Sequence, residues 1–271
     1  MVEKNSRPLP AWLLALGPDS LPQQIIVQQK KYHLQKVFKH DFWAASGLYS
    51  NGSSQVVLKV YRRQDLLGLP MNWLGRRLAK REISFYHYLQ DLPGIARFLG
   101  SFGSNGFVHA YIPGQTLLEY PKTRIADDFF DQLVDLMRSV HERGISYIDA
   151  NKRDNVIVGT DGRPYLIDFQ ISWRPNPRGL TGLSRRVLLF MQRIDLYHLF
   201  KHKSRLRPDL MRPKEWQLRR NPGLLLGLHR LIAVPFRKFR RTTLRRMEKS
   251  VQSKNPRIFP VVPARPDDRY H

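Results

Sequence analysis

Residues 144–172, GISYIDANKRDNVIVGTDGRPYLIDFQIS, contain the features that decide how this chain folds. Two short apolar runs, VIV and YLI, flank the turn formers GTDGRP, and this pattern predicts a β-hairpin. Four aspartates accompany the hairpin, and Asp149 and Asp168 lie on either side of it. Carboxylates gathered in this way are typical of a cation site, but aspartates also cap turns. Both interpretations stay open for Asp149 and Asp168, whereas we assign Asp154 and Asp161 to turn capping.

The composition of the whole chain makes this acidic stretch unusual. With 271 residues, of which 42% are hydrophobic, the chain is long enough to bury a substantial core. Lys and Arg number 46 against 22 Asp and Glu, which gives a net charge of +24. Such an excess predicts an anionic partner, either nucleic acid, phospholipid or a phosphorylated glycolipid. The absence of cysteine excludes disulfides and thiolate metal sites.

The apolar segments are too short to predict a targeting or membrane-spanning element. The first 20 residues hold only a brief apolar patch between prolines, unlike a signal peptide. The most apolar later stretch, GLLLGLHRLIAVPF from Gly223, is interrupted by His229, Arg230 and Pro235 and does not reach the length of a span. We therefore expect a cytoplasmic protein that makes at most a peripheral contact with the inner membrane.

The order of predicted elements indicates an α+β fold. Strands are expected within residues 25–61, a helix over 73–92 and a strand pair over 97–112. The next helix, over 127–144, has four apolar residues at helical spacing: Phe130, Leu133, Met137 and Val140. The predicted organisation is an N-terminal extension (1–24), a strand-rich lobe (25–107), a mostly helical lobe (108–250) and a Pro-rich tail predicted to be disordered (251–271).

Two charged residues interrupt apolar patterns in neighbouring elements. Glu82 falls on the same helical stripe as Leu78, Phe85 and Leu89, and Lys59 interrupts the apolar strand VVLKV. Burying either charge alone costs several kcal/mol, roughly, so the two are best explained as a pair. The alternative is that both side chains reach solvent, as isolated charged residues commonly do.

The combined pattern resembles the protein-kinase-like superfamily. YIDANKRDNVIV and YLIDFQ are similar to its catalytic loop and its metal-binding motif. The resemblance implies a two-lobed fold that binds ATP and Mg²⁺ between a β-rich N-lobe and a short, mostly helical C-lobe. It also implies that Asp149 is the catalytic base and that Asn155 and Asp168 are metal ligands. Lys59 would then hold the nucleotide phosphates, supported by Glu82, with adenine near residues 109–112.

The match departs from the common kinase pattern at several positions. Asp149 and Asn155 are six residues apart instead of five, which implies an insertion within ANKRD; strict counting would put Ala150 at the base position. Tyr147 and Ile148 replace the usual His and Arg, and Gln170 replaces the glycine of Asp-Phe-Gly. Neither an Ala-Pro-Glu segment nor a G-x-G-x-x-G loop is present. These departures favour a compact atypical branch, similar to lipopolysaccharide Kdo and heptose kinases and to RIO kinases.

The activity implied by this resemblance is transfer of the γ-phosphate of ATP to a hydroxyl group. The net charge favours an anionic acceptor, such as the lipopolysaccharide core glycolipid. A serine/threonine protein kinase of atypical type is an alternative. A nucleotide-binding pseudokinase is a further alternative, favoured if Ala150 occupies the base position.

Three further basic features carry open interpretations. Lys152 and Arg153 either bind the transferred phosphate or an anionic acceptor, or are solvated loop charges. A cluster over 195–203 either binds metal or phosphate or belongs to a basic helix packed beneath the second lobe, which we prefer; it comprises Asp195, His198, Lys201, His202 and Lys203. A basic segment suits a helix on anionic lipid better than a nucleic-acid surface, because aromatic residues are not interleaved throughout the cluster as a stacking platform would require. Its cations are Arg237, Lys238, Arg240, Arg241, Arg245 and Arg246. Core packing of residues 224–236, with a solvated basic face, explains that segment nearly as well.

Overall fold

The N-terminal half of the described chain forms a six-stranded antiparallel sheet. The computed structural model describes residues 10–66, 68–176 and 181–220. The sheet order is β1-β2-β3-β4-β6-β5. Its strands are β1 Gln24–Val27, β2 Lys30–His40, β3 Ala44–Ser50, β4 Gln55–Tyr61, β5 Phe98–Phe102 and β6 Gly106–Ala110.

The central strand β4 explains why the sheet folds around residues 55–61. It lies between β3 and β6, and its sequence QVVLKVY is buried at Val56, Val57, Leu58 and Val60, as the β-branched and apolar composition favours. Lys59 is paired in register with Ser46 on β3 and Phe107 on β6. The charged side chain therefore projects from the middle of the sheet.

The helix that follows β4 packs against the sheet. Helix α1, Asn72–Leu89, ends three residues earlier than the predicted 92, because the chain turns there ahead of Pro93 and Gly94. Its start lies so close to the sheet that a Cβ on Gly75 would be 2.0 Å from the carbonyl oxygen of Arg62. Of the stripe predicted from the sequence, Glu82, Phe85 and Leu89 are buried and Leu78 is partly buried.

The second half combines helices with a small three-stranded sheet. The sheet contains β7 Gly114–Thr116, β8 Val156–Gly159 and β9 Pro164–Leu166, in that order. The helices are α2 Phe129–Glu142, α3 Gly182–Leu206 and α4 Pro213–Arg220. All four apolar residues predicted to face the core from α2 are buried. The predicted mixed α+β class, with an N-terminal antiparallel sheet followed by helices, is confirmed.

The boundaries differ in two places from the predicted organisation. Strand β6 runs to Ala110, so the strand-rich part extends beyond residue 107.

The extension before β1 packs onto the sheet through Arg62, whose side chain is fully buried and stacks on Phe42. Its guanidinium donates to the carbonyl oxygens of Trp12, at 2.9 Å, and of Leu13 and Phe42, each at 3.1 Å. Residues 10–17 are therefore an integral part of the fold.

Other predictions concern parts of the chain that are not described. The apolar stretch over 223–236, the basic segment over 237–246 and the Pro-rich tail over 251–271 lie outside the described residues. Among the helices that are described, none combines the length and apolar character needed to cross a bilayer.

Candidate functional site

The two misfit charges form an ion pair, and a third residue joins it. The Lys59 ammonium nitrogen lies 2.8 Å from Glu82 Oε2 and 2.9 Å from Asp168 Oδ1. Strand β4, helix α1 and the segment after β9 each supply one member. The pairing of Lys59 with Glu82 inferred from the sequence is confirmed, and the solvent-exposed alternative is wrong, because the side chain of Glu82 is 0% exposed.

Glu82 has further partners that satisfy its buried carboxylate. Its Oε1 atom accepts from the backbone amide of Phe169 at 3.0 Å, and its Oε2 atom accepts from the hydroxyl of Tyr61. Burial raises the pKa of the Glu82 carboxyl, and the Lys59 ammonium opposes that rise. Because Phe169 directly follows Asp168, this contact also fixes the backbone beside the third member of the cluster.

The electrostatics of the other two members follow from their mutual contact. Burial alone would lower the pKa of Lys59, but the carboxylates of Asp168 and Glu82 outweigh it and raise that pKa. Burial would likewise raise the pKa of Asp168, but the Lys59 ammonium lowers it below its usual value. Lys59 is therefore protonated and Asp168 ionised at neutral pH.

Asp149 and Asn155 form a second contact, at the start of the hairpin. The Asn155 side-chain nitrogen donates to Asp149 Oδ2 at 2.8 Å, and the Lys152 ammonium donates to the same oxygen at 2.6 Å. Ala150 is fully buried in the core, and its carbonyl oxygen lies 2.9 Å from His202 Nε2. Asp149, and not Ala150, therefore faces Asn155.

The hairpin places Asn155 and Asp168 at the same end of the small sheet. Val156 on β8 is paired with Leu166 on β9, and the Ile167 amide donates to the carbonyl oxygen of Asn155 at 3.1 Å. Asn155 immediately precedes β8, and Asp168 is the second residue after β9. The register therefore brings an amide and a carboxylate to neighbouring positions, as the resemblance implied.

Two backbone positions near these side chains adopt a left-handed conformation. The φ angle is +67° at Ile148 and +63° at Asp168. Positive φ is an outlier for a β-branched residue such as Ile148 and needs support from its surroundings. That support comes from Asp195 on α3, which accepts from the amides of Tyr147 and Ile148, both at 2.8 Å, and from Ser146 Oγ at 2.9 Å.

The cluster over 195–203 has a packing role. Lys203 contacts Glu215 at 2.9 Å and Asp131 at 3.2 Å, and Lys201 donates to the Asn151 side chain at 2.9 Å. Over residues 10–66, 68–176 and 181–220, no group of three or more His, Asp or Glu side chains has an arrangement suited to a metal ion. Helix α3 packs against the segment that carries Asp149, in agreement with the preferred interpretation.

Three sequence candidates remain: Asp161, Lys152 and His109. Asp161 caps the hairpin turn, since it accepts from the Arg163 amide at 3.0 Å and from the Tyr165 hydroxyl at 2.8 Å. Lys152 is 55% exposed but touches Asp149, so it is more than a solvated loop charge. His109, the first residue of the predicted adenine segment, is buried on β6, and burial lowers its pKa to about 4. Adenine contact at 109–112 stays a prediction.

Three residues at the site were missed as participants by the sequence reasoning. Tyr61 bonds Glu82, and the Tyr147 hydroxyl donates to the carbonyl oxygen of Ile167. Asp195 was considered only as part of a metal or phosphate cluster. The one available signal was that Asp195 is the only carboxylate in an otherwise basic helix.

Comparisons with known proteins add no family assignment. No protein-family model matches the sequence, and no curated protein matches it either. The functional argument therefore rests on the arrangement of these side chains.

Proposed function

We propose that this chain is an ATP-dependent phosphotransferase with a two-lobed, protein-kinase-like fold. It transfers the γ-phosphate to a hydroxyl of an anionic acceptor, such as the lipopolysaccharide core glycolipid. One observation carries the proposal: five polar residues from separate elements form two adjoining clusters. They are Lys59, Glu82, Asp149, Asn155 and Asp168. Phosphoryl transfer depends on positioning and charge stabilisation, which is what such a set supplies.

Lys59 supplies the positive charge that binds phosphate oxygens of the nucleotide. Its ammonium group is held by Glu82 Oε2 at 2.8 Å, and Glu82 is in turn fixed by Tyr61 and Phe169. A cation held in place before the substrate binds does not have to be ordered during the reaction. The buried Glu82 therefore acts as the positioning residue for Lys59.

Asp149 is the proposed base. Its carboxylate accepts the proton of the acceptor hydroxyl while the hydroxyl oxygen bonds to the γ-phosphorus and the bond from that phosphorus to the ADP oxygen breaks. Asn155 fixes the orientation of the carboxylate through its 2.8 Å hydrogen bond. Lys152, at 2.6 Å from the same carboxylate, is placed to contact the transferred phosphate or an acidic group of the acceptor.

The donor set fits the magnesium ion that this chemistry requires. The side-chain oxygens of Asn155 and Asp168 are hard ligands of the kind that Mg²⁺ prefers. The described residues contain no larger cluster of acidic residues and histidines suited to a metal, and Mg²⁺ is commonly held by one or two carboxylates together with substrate phosphates. When bound, it would neutralise charge on those phosphates.

The charge around Asp149 supports an anionic acceptor. Lys152 bonds Asp149 itself, and Lys201 is held beside it through Asn151. The net charge of +24 also favours an anionic acceptor. Contact with an anionic inner-membrane surface is part of this proposal. The pseudokinase alternative loses its specific support, because Ala150 is buried away from Asn155.

The test uses purified protein, γ-labelled ATP and Mg²⁺, with membrane glycolipid and soluble protein extract supplied separately. We expect label on glycolipid, and its loss in Asp149→Ala and Asp168→Ala. The exposed Asp154 provides the matched control, since Asp154→Ala should leave labelling unchanged. Label on protein alone would support the protein-kinase alternative. Absence of both labelling and ATP-induced thermal stabilisation would refute the proposal.

A further inference from the structure

A cavity lies along the face of α1 that carries residues 81, 84, 85 and 88. Its volume is about 440 Å³. The opposite wall is the segment that follows the hairpin, including Trp173 and Arg174. Neither wall includes the proposed base or metal ligands, so the cavity is separate from the phosphotransfer site.

The cavity has two cationic walls without a countercharge. One Arg81 nitrogen donates to the carbonyl oxygen of Ser172 at 2.7 Å, and Arg174 Nε donates to that of Arg143 at 3.4 Å. These contacts use only part of each guanidinium, which carries five N–H donors. No carboxylate pairs with either arginine within the described ranges, and none of the lining residues is acidic. An oxyanion is the ligand that such a pair of guanidiniums favours.

The rest of the wall is aromatic. Phe85 is 4% exposed, and the rings of Tyr88 and Trp173 also line the cavity. The Arg174 guanidinium lies 4.2 Å from the centre of the Tyr88 ring, an arrangement that holds both groups flat. A bare inorganic ion would leave this aromatic surface in contact with water. A ligand with a ring would cover it.

We propose that this cavity binds a small oxyanion carried on a ring, with a phosphate or carboxylate group between Arg81 and Arg174. This binding site is additional to the proposed phosphotransfer site. Arg81 directly precedes Glu82, and its partner Ser172 follows Asp168 by four residues. A ligand between the two arginines would therefore contact both α1, next to Glu82, and the segment that follows Asp168.

Binding is tested by calorimetry on the full chain with phenyl phosphate and benzoate as probes. Inorganic phosphate and phenol serve as the charge-only and ring-only comparisons. We expect phenyl phosphate, benzoate or both to bind at least about tenfold more tightly than either comparison, because charged hydrogen bonds and ring contact both contribute. The stronger of the two probes identifies the oxyanion. Equal binding of inorganic phosphate would overturn the ring requirement, and no binding of either probe would overturn the proposal.

Variants locate the probe. Arg81→Gln and Arg174→Gln should each weaken binding by about tenfold or more. Arg77→Gln, on the same helix but outside the lining, is the matched control. Ser84→Phe fills the cavity without removing a charge and should also abolish binding, which keeps the test valid if an arginine variant unfolds.

A final variant separates this cavity from the phosphotransfer site. Asp149→Asn should leave probe affinity unchanged, whereas loss of affinity would place the probe at that site and overturn the assignment. If the phosphotransfer proposal fails while these binding results hold, the inference about the cavity stands.

Discussion

Replacement of Lys59 by methionine tests the buried ion pair most directly. Methionine has a similar length but no charge, so Glu82, whose side chain is 0% exposed, loses its cationic partner. Removing one member of a buried pair typically costs about 3–5 kcal/mol. Tyr61 and Phe169 still donate to the carboxylate. We therefore expect the free energy of unfolding to fall by about 3 kcal/mol at about pH 8, the lower end of that range.

The same variant should show a characteristic pH dependence. Burial raises the pKa of Glu82 above its ordinary value of 4.5, and loss of Lys59 removes the main opposing effect. A group whose pKa is raised on folding contributes stability that is present below its unfolded pKa and is lost as the pH rises through the folded pKa. The free energy of unfolding lost in Lys59→Met should therefore be smaller at about pH 5 than at about pH 8. The difference is about 1.4 kcal/mol for each unit by which the pKa of Glu82 in the folded variant exceeds 5.

Urea unfolding at the two pH values measures these differences. Lys31→Met, an exposed lysine on strand β2, is the matched control and should change stability by less than about 0.5 kcal/mol. Adding Glu82→Gln to Lys59→Met should recover most of the loss, because the amide oxygen still accepts from its neighbours without a charge. A loss below about 1 kcal/mol at both pH values would refute the argument, since that is the range of an exposed lysine.

The remaining predictions concern the supporting contacts. Tyr61→Phe removes the hydroxyl donor to buried Glu82 and should cost about 1–3 kcal/mol in urea unfolding. Asp195→Asn replaces the carboxylate that accepts two backbone amides and should speed hydrogen exchange of those amides, with loss of phosphotransfer; unchanged exchange would contradict its positioning role. Burial lowers the pKa of His109 from 6.5 to about 4, so the unfolded chain binds its proton first and stability falls as the pH drops from 6.5 towards 4. His109→Gln should reduce that dependence in urea titrations, whereas His87→Gln, at an exposed position, should not.

The pairing of Lys59 with Glu82 could be predicted because each residue breaks a regular apolar pattern. A charge at a buried position of a strand or helix needs a partner, and Glu82 was the acidic residue on the apolar stripe of the neighbouring helix. The closeness of Asn155 and Asp168 was implied by the resemblance of their motifs, and the hairpin register explains it physically, since Val156 is paired with Leu166. Local periodicity therefore carried the information for Lys59 and Glu82, whereas motif resemblance carried it for Asn155 and Asp168.

The register around Asp149 needed the structure. The six positions from Asp149 to Asn155 are spanned by two consecutive 3₁₀ turns, Asp149–Asn151 and Arg153–Asn155. These turns direct Asp149 towards Asn155 and the neighbouring Ala150 into the core. A turn of this kind has no apolar period, so counting residues left both positions open.

The role of Asp195 could not be predicted either. Its carboxylate accepts hydrogen bonds from backbone amides 47 and 48 residues earlier in the chain. Every residue except proline has a backbone amide, so the sequence does not indicate which of them a carboxylate binds. The cavity between α1 and residues 173–176 could not be predicted from the sequence either, because its two arginines belong to separate segments. Contacts of this type depend on the tertiary arrangement alone.

The anchoring of residues 10–17 by Arg62 sets a practical limit on shortening the protein. A truncated chain that begins after residue 17 would leave the buried guanidinium without the carbonyl oxygens of Trp12 and Leu13. Arg62 directly follows β4, three residues after Lys59, so a guanidinium that turned outwards to reach water would loosen the end of the strand that holds Lys59. Expression designs that trim this segment to reach a minimal domain would weaken the cluster they aim to preserve.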